Sequence, residues 1–144
     1  PRRLAIGDID GDGRPDIITA NFSDNNIAVF RNTATAGAIN SGSLAARVNF
    51  TMTQALAATV ADIDGDGKLD VVAVGGSSTM SIFRNTASSG TITSGSFAAK
   101  VDFTATNATS LAIGDIDADG KADIVTASYS NSVLSIFKNT ATSG

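Results

Sequence analysis

Twelve of the chain's 14 acidic residues fall into three nine-residue segments, DIDGDGRPD (8–16), DIDGDGKLD (62–70) and DIDADGKAD (115–123). Aspartates stand at positions 1, 3, 5 and 9 of each: Asp8, Asp10, Asp12 and Asp16; Asp62, Asp64, Asp66 and Asp70; Asp115, Asp117, Asp119 and Asp123. Position 6 is always glycine (Gly13, Gly67, Gly120), which suits a sharp turn with positive φ. Two carboxylates about 4 Å apart near a protein surface repel by roughly 4 kcal/mol, so such density asks for a positive charge. Alternate carboxylates with a backbone carbonyl at position 7 make the front half of an oxygen cage for a hard cation. Calcium accepts about six to eight oxygens in flexible geometry, whereas magnesium wants a tighter, wetter octahedron. Calcium, about three ions at one per segment, is the better fit.

Two other readings fit these residues less well. Asp-Gly is a hairpin signal in its own right, but a turn needs one or two such residues rather than four carboxylates repeated three times. An EF-hand needs Glu at position 12 and flanking helices; position 12 is Thr19, Ala73 or Thr126, and the flanks read as strands.

The elements that must hold these loops repeat with them. LAIGDIDGDGRPDIITA (4–20), AATVADIDGDGKLDVVAV (57–74) and LAIGDIDADGKADIVTA (111–127) align without gaps across the motif. Each is followed by IAVFRNT (27–33), MSIFRNT (80–86) or LSIFKNT (134–140), and the first two continue into SGSLAARVNFT (41–51) and SGSFAAKVDFT (94–104). The chain is thus one segment, 1–144, of three repeats at about 4–56, 57–109 and 110–144. In the first repeat, β-branched and aromatic runs bounded by Gly, Asn, Ser and Asp predict strands at 4–8, 16–21, 26–31 and 47–51. The third repeat stops before strand four, giving 11 strands, and no helical periodicity intervenes.

In the third strand Val29, Ile82 and Ile136 occupy one phase of the alternation, and Phe30, Phe83 and Phe137 the other. Both faces are apolar, so each sheet needs a neighbour on either side. The fold class predicted is all-β: four-stranded antiparallel blades of an incomplete β-propeller. Two blades and three-quarters do not close a ring in the ordinary way. The chain is expected to be part of a longer array, or to assemble with copies of itself; two chains would make six blades. An open arc leaves two apolar faces in water.

Composition narrows the partners. Setting the motif aspartates aside leaves ten basic side chains against Asp24 and Asp102. The basic residues are scattered singly, which argues against nucleic acid. No apolar run approaches the length of a membrane helix, so membrane insertion is not expected. With no Cys, neither disulfides nor thiolate chemistry can be invoked. The absence of His, Cys and Glu, with the clustered Asp committed to metal, argues against catalysis. The opening Pro1-Arg2-Arg3 reads as a processed or excised piece.

These motifs resemble the FG-GAP/VCBS repeats, the calcium-binding blades of integrin α-chain propellers and of many bacterial surface proteins. The resemblance covers essentially the whole chain. It implies one ligand set of Asp8, Asp10, Asp12, Asp16 and the carbonyl of Arg14. The second would be Asp62, Asp64, Asp66, Asp70 and the Lys68 carbonyl; the third, Asp115, Asp117, Asp119, Asp123 and the Lys121 carbonyl. TAN, AVG and TAS stand where the integrin pattern has GAP, so the chain looks closer to the bacterial VCBS type.

The function expected is a non-enzymatic, calcium-clipped scaffold or adhesion module of a secreted or cell-surface protein, with an unidentified protein or glycan ligand. The alternative is a lectin-like propeller binding carbohydrate between blades, which the single Tyr and absent Trp disfavour. The long connections 32–46 and 85–99 are expected to be solvated loops, with contact to a ligand or a neighbouring blade as the alternative. Arg31, Arg84 and Lys138, which end the third strand in register, are expected on a solvated edge.

Overall fold

A computed structural model describes residues 1–76 and 78–142; the end of the third repeat, 143–144, lies outside the described residues. Eleven strands form three antiparallel sheets, and no helix occurs among the described residues. The first sheet is β1 (Arg3–Gly7), β2 (Asp16–Asn21), β3 (Asn26–Phe30) and β4 (Val48–Thr51), in that order. The second is β5 (Ala55–Ala61), β6 (Asp70–Gly75), β7 (Thr79–Phe83) and β8 (Val101–Thr104). The third has only β9 (Ala108–Gly114), β10 (Asp123–Ser128) and β11 (Val133–Phe137). This is the all-β blade architecture expected, with the third blade short of its outer strand and no closed barrel among the described residues.

Short turns keep each sheet a meander. Asn25 and Ser132 take the left-handed conformation between strands two and three, with φ of 53° and 51°. Asn25 also ties that turn to the exit of β4: its carbonyl accepts the Met52 N–H (3.0 Å) and its Oδ1 the Gln54 N–H (2.9 Å).

The sheets stack face to face, with β1 against β5 and β5 against β9. Register explains which side chains meet. Ile18 lies opposite Val29, and Ala20 opposite Ile27, so all four share one face of the first blade. That face packs with Phe50 on Ala58, Val71, Ala73 and Phe83 of the second blade. The alternate residues Val72, Val74 and Met80 face the other way, onto Ala108, Ile124, Leu111 and Phe137 of the third. A β-carbon added to Gly7 would meet Val60 Cγ2 at 2.8 Å and Leu69 Cδ1 at 2.9 Å, so this glycine lets blades one and two approach closely.

The long connections are not free loops. Each folds back on itself: Thr33 N–H donates to the Ser43 carbonyl and Ala45 N–H to the Arg31 carbonyl, and Thr86–Ser96 and Ala98–Arg84 repeat the pair. Phe97 on the second connection is buried, edge-on to Phe50 with centroids 4.8 Å apart, and also against Phe83 at 6.3 Å. The second connection thus reaches the neighbouring blade at Phe97, while the first stays largely exposed, as a solvated loop would. A ring of this size removes enough apolar surface from water to hold its connection down.

Candidate metal centres

Each acidic segment joins the first strand of a blade to its second. The aspartate at position 9 opens the second strand and is buried: Asp16, Asp70 and Asp123. Its two oxygens clamp the hairpin. Asp16 Oδ2 accepts the Ile9 N–H (3.0 Å) and Oδ1 the Asn32 N–H (2.8 Å). Asp70 does the same with Ile63 (2.9 Å) and Asn85 (2.7 Å), and Asp123 with Ile116 (3.0 Å) and Asn139 (2.8 Å).

The aspartate at position 1 folds the loop over itself. Asp8 accepts the N–H groups of Asp12 (3.1 Å) and Gly13 (2.8 Å). Asp62 accepts those of Asp66 and Gly67, and Asp115 those of Asp119 and Gly120. Gly13, Gly67 and Gly120 all have φ of 86°, the positive value anticipated for position 6. At position 4, Gly11 and Gly65 are also left-handed, with φ of 66° and 75°. The third loop puts Ala118 there at φ 62°, which costs an L-residue about 1–2 kcal/mol.

These folds converge three carboxylates per loop: Asp8, Asp10 and Asp16; Asp62, Asp64 and Asp66; Asp115, Asp117 and Asp123. In each group the candidate ligand oxygens lie within 4.8 Å of one another. Opposite oxygens around one calcium ion are separated by about twice the 2.3–2.6 Å bond length, so the donor set and its spread fit that ion. The fourth carboxylate of each loop stands outside the group. Asp12 is held by Arg14 Nη2 (2.6 Å) and Arg31 Nη2 (3.0 Å), and Asp119 lies 3.0 Å from Lys138 Nζ. In the second loop, where Asp66 has no such basic partner among the described residues, Asp66 joins the group and Asp70 is the one outside it.

Arg31 is drawn in from the solvated edge expected of it, whereas Arg84 and Lys138 stay on that edge with side chains 52% and 55% exposed. Arg31 Nε lies 2.6 Å from Asp10 Oδ2, Arg84 Nη1 lies 3.7 Å from Asp64 Oδ2, and Lys138 pairs with Asp117 as well as Asp119. Ile17 pairs with Phe30 across the sheet, so the residue after Phe30 emerges beside the acidic loop. The crowded carboxylates then draw the nearest cation over them. Recurrence of a basic residue at that one register position was the signal in the sequence.

The carboxyls respond to these surroundings. Burial pushes Asp16 and Asp70 above the usual carboxylate range, against the backbone hydrogen bonds they accept. Burial also pushes Asp12 up, but hydrogen bonds from Arg14 and Arg31 outweigh it and leave the group low. Lys138 holds Asp119 low, and the N–H groups of Asn139 and Ile116 hold Asp123 low.

The asparagine of each RNT or KNT triplet is a site residue for which the sequence suggested no role. Asn85 is wholly buried, and its Nδ2 donates to the Ile9 carbonyl of the first loop (2.7 Å) and the Leu69 carbonyl of the second (2.9 Å). Asn139 repeats this with Ile63 (2.7 Å) and Ala122 (3.1 Å). Asn32 bonds within its own blade, to the Pro15 carbonyl (2.9 Å). Ser89 and Gly90 of the second long connection also reach the first loop, at the carbonyls of Gly11 (3.2 Å) and Asp10 (3.1 Å).

No curated protein gives a match to the sequence. The family model of the FG-GAP-like repeat matches residues 8–73 and 62–126, each match starting at the first aspartate of an acidic loop and together covering most of the chain. With its three blades and their repeated hairpin loops, the chain belongs to the FG-GAP-like repeat family.

Proposed function

We propose that this chain is a calcium-clipped structural module of a β-propeller, serving as scaffold or adhesion surface in a secreted or cell-surface protein. The observation that carries the reading is the convergence of three carboxylates within 4.8 Å at the same hairpin of all three blades. Asp8, Asp10 and Asp16, Asp62, Asp64 and Asp66, and Asp115, Asp117 and Asp123 would hold one ion each. Asp12, Asp70, Asp119 and the carbonyls of Arg14, Lys68 and Lys121 complete the sets that the resemblance implies. Bound calcium supplies positive charge that turns carboxylate repulsion into attraction and ties strand one to strand two. Extracellular calcium modules bind with dissociation constants of about 0.1–1 mM, which suits constitutive filling outside cells. FG-GAP-like repeats are typically structural, and a non-enzymatic role follows from committing the acids to metal.

The apolar outer faces of the first and third blades take a further blade, from the same longer protein or from a second copy. Leu4 and Ile6 on one side and Leu134 and Ile136 on the other are exposed. The carbohydrate-binding alternative needs aromatic platforms between blades. The clefts between adjacent acidic loops, about 380 and 430 Å³, have no aromatic ring in their lining among the described residues. The cleft of about 420 Å³ between the second and third blades has Phe103 and Phe137, and is where that alternative finds rings.

Thermal melting in calcium and in chelator tests the reading. An ion at 100 times its dissociation constant stabilises the folded state by about 2.7 kcal/mol per site, so the midpoint should rise by several degrees. An unchanged midpoint overturns it.

A further inference from the structure

We propose that neighbouring ion loops are energetically coupled through Asn85 and Asn139, so that filling one loop tightens the next. The inference rests on the calcium reading above, and its test separates the two.

Asn85 touches both of the loops it joins. Its Nδ2 holds the Ile9 carbonyl, which lies between Asp8 and Asp10, and the Leu69 carbonyl, which directly precedes Asp70. Its backbone N–H donates to Asp70 Oδ1 and its Oδ1 accepts the Ala87 N–H (2.8 Å), so the amide plane has no freedom to turn independently. Three consecutive carbonyls of the first loop, Ile9, Asp10 and Gly11, are therefore braced from the second repeat by Asn85, Gly90 and Ser89. Asn139 braces the second loop from the third repeat in the same way, joining Ile63 to Ala122, the neighbour of Asp123.

An ion entering one loop draws its carboxylates together and so holds the backbone carbonyls between them in place. Once the first loop is ordered, the Ile9 carbonyl fixes Asn85, and Asn85 fixes the start of β6 and the Asp70 clamp. The second ion then finds part of its loop already set, and binds more tightly without any new contact to the first. Coupling between sites is reciprocal and typically corresponds to about 5- to 150-fold in affinity.

The test titrates calcium chloride into the full chain and follows the amide resonances of Gly13, Gly67 and Gly120, one per loop, by NMR. The wild type should fill with a Hill coefficient above 1. Asp64→Ala weakens the second loop without touching either asparagine, and should raise the midpoints of Gly13 and Gly120 at least fivefold. Asn85→Ala should make the first loop independent of the second, with amide dispersion reporting that the variant remains folded. Should Asn85→Ala fail to fold, Asp64→Ala alone decides. If all three glycines titrate, but Gly13 and Gly120 keep their midpoints in Asp64→Ala, the coupling is overturned and the calcium reading stands. If none responds to calcium, both fall together.

Discussion

The second and third repeats carry nearly the same third strand, TMSIF in β7 and VLSIF in β11, and meet opposite fates. Met80 is 1% exposed, whereas Leu134, at the same place in the alternation, is 65% exposed. Every residue of β6 is buried, while β10 has an exposed residue and β11 is largely exposed. The acids diverge as well: burial drives the Asp70 carboxyl up, and hydrogen bonds prevail in holding Asp123 down. The second blade lies between two others and the third has a blade on one side only. Burial here is conferred by the neighbour, not by the strand, and a strand that is apolar on both faces is stable in water only as part of a stack.

Substitution at matched positions breaks the comparison most sharply. Met80→Asp should destabilise by at least about 4 kcal/mol, since it loses the buried side chain and buries an unpaired charge. Leu134→Asp should change stability by less than about 1 kcal/mol in urea unfolding at low protein concentration. An equally large loss at Leu134 would show that its face is covered.

The first repeat extends the contrast. Phe97 is 8% exposed between two blades, and Leu44, its counterpart on the first connection, is 39% exposed. Phe97→Ala should cost about 3–4 kcal/mol and Leu44→Ala less than about 1 kcal/mol, read from the same unfolding curves.

A smaller effect separates the loops themselves. Ala118 holds a left-handed position that Gly11 and Gly65 fill elsewhere. Ala118→Gly should stabilise by about 0.5–1 kcal/mol, the relief of strain less the added freedom of the unfolded chain. Gly65→Ala should destabilise by a similar amount; calorimetry of both variants in chelator checks the pair.

The smallest effect belongs to β8, a strand the third blade lacks. Asp102 is held below the usual carboxylate range by hydrogen bonds from Lys100 and Ser81. A lowered folded-state pKa gives stability that is present above the ordinary value near 3.8 and is lost as pH falls through the folded value. With its side chain about half exposed, the contribution is under about 0.5 kcal/mol. Asp102→Asn should therefore lower stability at neutral pH by under about 0.5 kcal/mol and leave it unchanged below the folded pKa, so that urea unfolding against pH shows a slightly flatter acid limb.

Much was legible in the residues alone. The acidic loops, the positive φ at Gly13, Gly67 and Gly120, the strand order within each blade and the missing fourth strand all depend on neighbours within one repeat. Such features follow from spacing, turn chemistry and alternation, which act over a few residues. Tertiary structure alone decided the rest. Asn85 meets Ile9 across 76 residues, and Ser89 meets Gly11 across 78. Arg31, 21 residues from Asp10 in the chain, folds over it because β2 and β3 bring the loop and the strand end together. The same apolar alternation is core in β7 and surface in β11, because hydrophobic burial depends on what stands opposite, and the strand sequence does not specify that.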